Sequence, residues 1–411
     1  MPILIALVLL ATDPWHLEFD DGQAAARREG KDLLIDFGGT DWCLPCRWLK
    51  ERVLSKPEFI DRAAKEFALV DIDLPLRTPI AADRKARYQK LQERYGIISF
   101  PTVVLATSDG RPYARTTYRE AIATPQAYWD HLPPHRGRGA RLREALARAD
   151  MLKGKDRARA IVDGLAEVDA GFVPLFYADR VAEVRALDPA DETGYLAFLD
   201  ARKALDDFYA GKDTHRAAMD VAEVDALIAR AKPRGELLQE ALAIRAAAQV
   251  LAGRDREALD TFDELLAAQA SRTRFDRGDF VPLDDASIAL VRRRIAAARA
   301  DDGSGLALYF NLHRILEFDL PNSYELSCGG PLRPNFRVQE PVGDRYGRAL
   351  LKATEGLDGE ARAKALAKGL EGTFFVGRGP IGEVLQLIVK LVGKEGAGKL
   401  LPGEFYPRII N

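Results

Sequence analysis

Cysteine is scarce in this sequence, with three thiols among 411 residues, too few to staple a small secreted fold together with disulfides. Histidine is nearly as thin, at positions 16, 131, 135, 215 and 313. A zinc site needs about four nitrogen or sulfur ligands, and His16, His131 and His135 are scattered, the last two split by Pro133-Pro134. His215 and His313 lie in helical context and read as packing or surface residues. Charge of one sign is missing too. Sixty basic side chains stand against 62 acidic ones, which leaves no footprint for nucleic acid and no polybasic patch for a membrane surface. The apolar stretch Met1–Ala11 falls short of the roughly 20 residues a membrane helix requires, so no integral span is expected. It lacks the basic start of a typical export signal, yet Ala11-Thr12-Asp13-Pro14 resembles a small-residue cleavage region. The expectation is a signal segment over residues 1–13 and export to an oxidising compartment such as the periplasm. A lipid-facing stub, a buried strand and a cytoplasmic location are the alternatives.

What the sequence does hold is a soluble, globular composition, 47% hydrophobic and 30% charged, long enough for two or three domains. Its organising stretch is Leu33-Leu34-Ile35-Asp36-Phe37-Gly38-Gly39-Thr40-Asp41-Trp42-Cys43-Leu44-Pro45-Cys46. An apolar strand ends in a carboxylate and an aromatic, a small-residue turn follows, and two cysteines sit two residues apart. Thiols so spaced on the first turn of a helix can close into a small disulfide ring. Unpaired N–H groups and partial positive charge at the helix N-terminus favour the Cys43 thiolate, the form that acts as nucleophile. Redox work is the reading; a structural disulfide, or half of a metal site, is what it competes with. Trp42 reads as a cover for the site rather than ordinary core. Cys328, alone in Ser327-Cys328-Gly329-Gly330, reads as a small buried or loop residue.

Taken in order, residues 14–132 alternate strand and helix patterns: helix to Gly30, strand Leu33–Phe37, helix after the cysteines, break at Pro57, strand Ala68–Ile72, helix to Gly96, a strand opened by Pro101, then a hairpin through Ser108-Asp109-Gly110 and a helix capped by Thr124. That order predicts a mixed central sheet with helices on both faces. Residues 133–139, Pro-Pro-His-Arg-Gly-Arg-Gly, read as a linker. Helix follows helix over 140–302, punctuated by the turns Gly154-Lys155-Asp156, Gly211-Lys212-Asp213 and Gly253-Arg254-Asp255, an irregular helical-hairpin array that resembles tetratricopeptide repeats. Residues 303–411 read as a mostly helical C-terminal region without an assigned role. Gly393-Lys394-Glu395-Gly396-Ala397-Gly398-Lys399 imitates a phosphate-binding loop. Leu400 stands where that loop needs Ser or Thr, and the run before it reads as helix, not strand.

The first part of the chain resembles a thioredoxin-fold domain, and more narrowly the bacterial thioredoxin-like proteins with a Gly-Ser/Thr-Asp-Trp-Cys-x-x-Cys site. Gly39–Cys46 matches that site, and Phe100-Pro101-Thr102 matches the family's cis-proline segment facing the disulfide. The resemblance implies that Cys43 is the exposed nucleophile, Cys46 the buried resolving thiol, and Asp36 the buried carboxylate that takes the resolving proton. Desolvation in an apolar strand would raise that carboxyl and make it a usable base. Trp42, Phe100 and Pro101 would meet an extended substrate. Three departures from the family stand out. Cys43 lies seven positions after Asp36, one more than usual. The strand Ala68–Ile72 offers no lysine to partner Asp36. Pro45 resembles the reducing members, nearer a potential of about −270 mV than of about −120 mV. The expected activity is therefore thiol–disulfide oxidoreduction, leaning to reductase or isomerase, with no cofactor beyond the cysteine pair. Protein disulfides would be the substrates, an unidentified thiol the electron donor, and the helical region a docking surface. A non-catalytic scaffold built on the same folds is the alternative.

Overall fold

The computed structural model describes residues 14–118, 122–210, 220–271, 273–276, 285–316, 339–371 and 379–401. The 1–13 signal expectation, Cys328 and His215 lie outside these residues. The chain divides into two compact units, residues 1–197 and 198–411.

The first unit opens with a two-residue strand β1 (Trp15–His16), helix α1 (Phe19–Glu29) and strand β2 (Asp32–Gly38). A short helix α2 (Leu44–Leu49) runs on into a π-helical turn (Lys50–Leu54), then α3 (Pro57–Glu66) and β3 (Phe67–Asp73). Helix α4 (Ala82–Arg94), strands β4 (Thr102–Ala106) and β5 (Pro112–Thr116), and α5 (Pro125–His131) complete the alternating part. Thr124 caps α5, its side chain accepting from the Ala127 N–H. The sheet order is β1-β3-β2-β4-β5. β2 runs parallel to β3 and antiparallel to β4, so the sheet is mixed. Leu33, Leu34, Ile35 and Phe37 are fully buried, as expected for a central strand covered on both faces. The N-terminal domain is thus thioredoxin-like, with the cysteine turn at the C-terminal end of the central parallel strands, where open α/β sheets place their ligands.

Residues 133–139 correct one expectation. They are not a linker but the first turns of α6 (Pro133–Asp150). The prolines sit in the opening turn, where no N–H is needed. Gly139 sits where the helix crosses the sheet edge, since a Cβ there would lie 2.7 Å from the Tyr113 ring. α6, α7 (Gly154–Leu165), α8 (Val173–Phe176) and α9 (Ala178–Leu187) belong to the same unit as the sheet. They close its outer edge. The Asp169 N–H donates to the Tyr113 carbonyl at 3.0 Å, the Asp169 carboxylate accepts from the Arg115 N–H at 2.7 Å, and the Tyr177 hydroxyl donates to the Pro112 carbonyl at 3.1 Å. Asp169 is itself held by Arg138 at 2.6 Å.

The described part of the second unit is all-helical. Gly235–Leu251 is its central helix, buried on nearly every face. Glu240 within it accepts from Arg202 at 2.8 Å and from the Tyr209 hydroxyl at 2.9 Å, so a buried carboxylate is satisfied rather than stranded. The run before Gly393 is helical, and Gly393 itself leaves the helical region at φ 73°.

Candidate functional site

The site starts from a turn that only small residues allow. After β2, the Cys43 N–H donates to the Gly39 carbonyl at 2.7 Å. The Trp42 indole lies so close over Gly39 that a Cβ there would fall 2.4 Å from the ring. The Trp42 Nε1–H donates to the Leu74 carbonyl at 2.8 Å, and its ring meets Phe100 edge-on at 5.4 Å. Phe100 precedes Pro101 through a cis peptide bond. Trp42 therefore ties the cysteine turn to the proline segment, two stretches far apart in the chain.

Asp41 braces the other side. Its carboxylate accepts from the backbone N–H groups of Leu76, Arg77 and Thr78 at 3.0, 2.7 and 2.6 Å. Its slight burial works the other way, but these hydrogen bonds hold its carboxyl below the usual range. Thr40 is held likewise, its N–H and hydroxyl donating to Asp73 at 2.8 and 2.6 Å.

Cys43 and Cys46 form a disulfide, with the sulfurs 2.04 Å apart. Cys43 is the N-cap of α2, its Sγ accepting from the Cys46 N–H at 3.2 Å. The resemblance implies an exposed Cys43, yet in this oxidised form it is only 6% exposed, against 3% for Cys46. The capping contact turns its sulfur in against the helix, beneath exposed Trp42 and Leu44. Leu76, whose N–H Asp41 accepts, and Ile98, two residues before Phe100, are exposed as well.

Asp36 lies in β2 at 5% exposure. Its Oδ1 makes no hydrogen bond to protein. Burial first, then the neighbouring charge of Asp71, push its carboxyl up to about 8; Lys50 pulls the other way and Asp73 adds to the rise. At neutral pH this acid is therefore mostly protonated.

Two residues here escaped sequence reasoning. Asp71 is the in-register partner of Asp36 on β3, so both side chains leave the sheet on one face. Lys50 pairs with Asp71, and its ammonium is raised above the ordinary value: burial opposes this, but the charge and hydrogen bond of Asp71 outweigh it. The lysine missing from Ala68–Ile72 is thus supplied by a helix. Both signals are present in sequence. Asp71 interrupts an apolar strand as Asp36 does, and Lys50 follows Cys46 by four residues, hence on the same helix face.

Residues 14–107 match a thioredoxin-like family model. Among curated proteins, the chain is 27% identical over 101 residues to the thioredoxin-related protein DsbJ of Chlamydia pneumoniae, covering 25% of this chain and 29% of that protein. It is 26% identical over 90 residues to the disulfide bond reductase DsbH of the same organism, covering 22% of this chain and 54% of that one. The chain thus spans less than a third of one relative and about half of the other. A solved DsbH oxidoreductase is 21% identical, with 32% of this chain and 91% of that one covered, at a TM-score of 0.27. Each of these matches leaves most of the chain uncovered.

Proposed function

We propose that this protein is a thiol–disulfide oxidoreductase that reduces or isomerises disulfides in other proteins through Cys43 and Cys46. One observation carries the reading: a disulfide closed at the start of a helix, in the same domain as a buried carboxyl whose affinity for a proton is raised by its burial. In the dithiol form the Cys43 thiolate attacks a substrate disulfide. The substrate S–S bond breaks, one substrate sulfur stays bonded to Cys43, and the other leaves as a thiolate and takes a proton from water. Cys46 then gives its proton to the Asp36 carboxylate and attacks the Cys43 sulfur. The ring closes and the second substrate thiolate leaves. A donor thiol reverses these steps, and Asp36 returns its proton to Cys46 as that sulfur departs. The sulfur pair carries the electrons, with no further cofactor in the scheme.

Trp42, Phe100, Pro101 and the rim of Leu44 and Ile98 offer an extended substrate its apolar contact. The helices of the second unit serve as a docking surface for partner proteins. The lean to reduction rests on Pro45 ahead of Cys46 and on the disulfide bond reductase among the relatives. Insulin reduction followed by turbidity, with a chemical thiol as donor, tests the reading. Turbidity no faster than the donor alone produces would leave a non-catalytic scaffold in its place. A Cys46→Ser variant is expected to halt at the mixed disulfide and to collect covalent adducts with substrate proteins, visible on non-reducing gels and released by dithiothreitol. Recovering none would exclude turnover by this route.

A further inference from the structure

The loop between β3 and α4 has few means of holding itself. Its tip runs Pro75-Leu76-Arg77-Thr78-Pro79, and a proline has no N–H to give. Between the two rings the backbone donors are those of Leu76, Arg77 and Thr78, and all three go to one carboxylate, that of Asp41. Successive amides gathered in this way make a nest for an anion. Here the anion is a side chain of the cysteine turn, two residues before Cys43. Its neighbours fasten the same stretch of chain. Thr40 donates to Asp73, Trp42 donates to the Leu74 carbonyl, and the Leu74 N–H donates to the Gly38 carbonyl at 2.9 Å. Residues 38–42, which lead to the nucleophile, are thus tied to residues 73–78, and the loop keeps its place beside the cysteine turn.

The side chains at the tip are left unused by the fold. Leu76 is 72% exposed, against 37% for Trp42 and 45% for Leu44. Arg77 is exposed too, and its guanidinium forms no ion pair among the described residues. Arg47, exposed on the cysteine helix directly after Cys46, likewise forms none among them. The carboxylates of Asp41 and Asp73 are already occupied by amide and hydroxyl donors. We propose, on the reading just given, that this loop is the specificity element of the site. Asp41 is the positioning residue that holds it, while Leu76 and Arg77 meet the substrate. The substrates it favours are extended protein segments whose cysteine is flanked by an apolar residue and a carboxylate. A backbone fixed in advance loses little freedom when those side chains engage, so their contacts count towards binding instead of towards ordering the loop.

The test is reduction of two fluorescence-quenched disulfide peptides by the full-length protein, with a chemical thiol as donor. The peptides are identical except for Leu-Glu or Leu-Lys beside one cysteine. The parent should favour the Leu-Glu peptide by roughly fivefold in kcat/KM, the scale of an exposed ion pair exchanged for a repulsion. The margin should lie in KM and shrink at high salt. Arg77→Glu should reverse the order, Arg77→Lys should keep it, and Leu76→Ser should raise KM for both peptides. In Asp41→Ala the amides of residues 76–78 should lose their protection from hydrogen exchange, and the margin should fall towards one. A merely structural role for Asp41 would lower stability and leave the margin alone. Amides freed with the margin intact, or an order that Arg77→Glu does not reverse, would overturn the proposal. Should Asp41→Ala fail to fold, the comparison of Arg77→Glu with Arg77→Lys decides alone. A parent that reduces both peptides equally sinks this proposal by itself, whereas one that reduces neither peptide nor insulin defeats the functional reading beneath it.

Discussion

Replacing Cys43 by serine is expected to cut insulin reduction by roughly 10³-fold or more, to the rate of the donor thiol alone. A hydroxyl in that position has no accessible anion near neutral pH, whereas a thiol at a helix start does. The loss should not reflect unfolding. Serine is among the residues a helix N-cap favours most, and Cys43 already occupies that cap with its side chain accepting from the Cys46 N–H. Folded Cys43→Ser protein with parental turnover would remove Cys43 from the mechanism and the mechanism with it. The contrast with Cys46→Ser sharpens the assignment, since only the latter keeps the attacking sulfur and can hold a substrate.

Asp36→Asn is expected to make the oxidised protein more stable while slowing its turnover. The folded carboxyl titrates near 8, against an ordinary value of 3.8. Between those limits the folded state keeps a proton that the unfolded chain has lost, so stability must fall as pH rises through this window. Below about pH 4 parent and variant should unfold alike. Above about pH 8 the variant should lead by on the order of 6 kcal/mol. All four tryptophans, at 15, 42, 48 and 129, lie in the first unit, so their fluorescence in urea follows that unit alone. Parallel stability curves for the two proteins from pH 4 to pH 9 would show that Asp36 is not the raised acid. The same substitution should depress the closing step, because Cys46 then lacks its proton acceptor. Stability gained against activity lost is the mark of a group retained for chemistry.

Much of this arrangement could be read from the residues. The apolar strand ending at Asp36, the cysteine turn, the proline-led strand and the cap at Thr124 stand where periodicity and turn chemistry place them. β1 did not announce itself, since two residues carry no period. The run from Pro133 to Gly139 misled for a physical reason. Proline and glycine mark breaks in general, yet here the prolines open a helix and Gly139 makes room for Tyr113. The boundary at residue 197 was invisible because it depends on what α6 to α9 cover, and burial across a sheet edge leaves no local pattern. Lys50 was overlooked for a similar reason: the cation for Asp36 was sought on the neighbouring strand, while the fold delivers it from a helix.

The bonds that Asp169 and Tyr177 make to β5 carry one more consequence. Without them the last strand of the sheet would present a bare ladder of amide and carbonyl groups, a template on which another copy could zip. A fragment trimmed to Leu132, the natural choice from the alternating pattern alone, would keep every redox residue and lose its guard against clumping. The trailing helices up to residue 197 are in that sense the selvedge of the woven part, the finished border that stops it fraying into its neighbours.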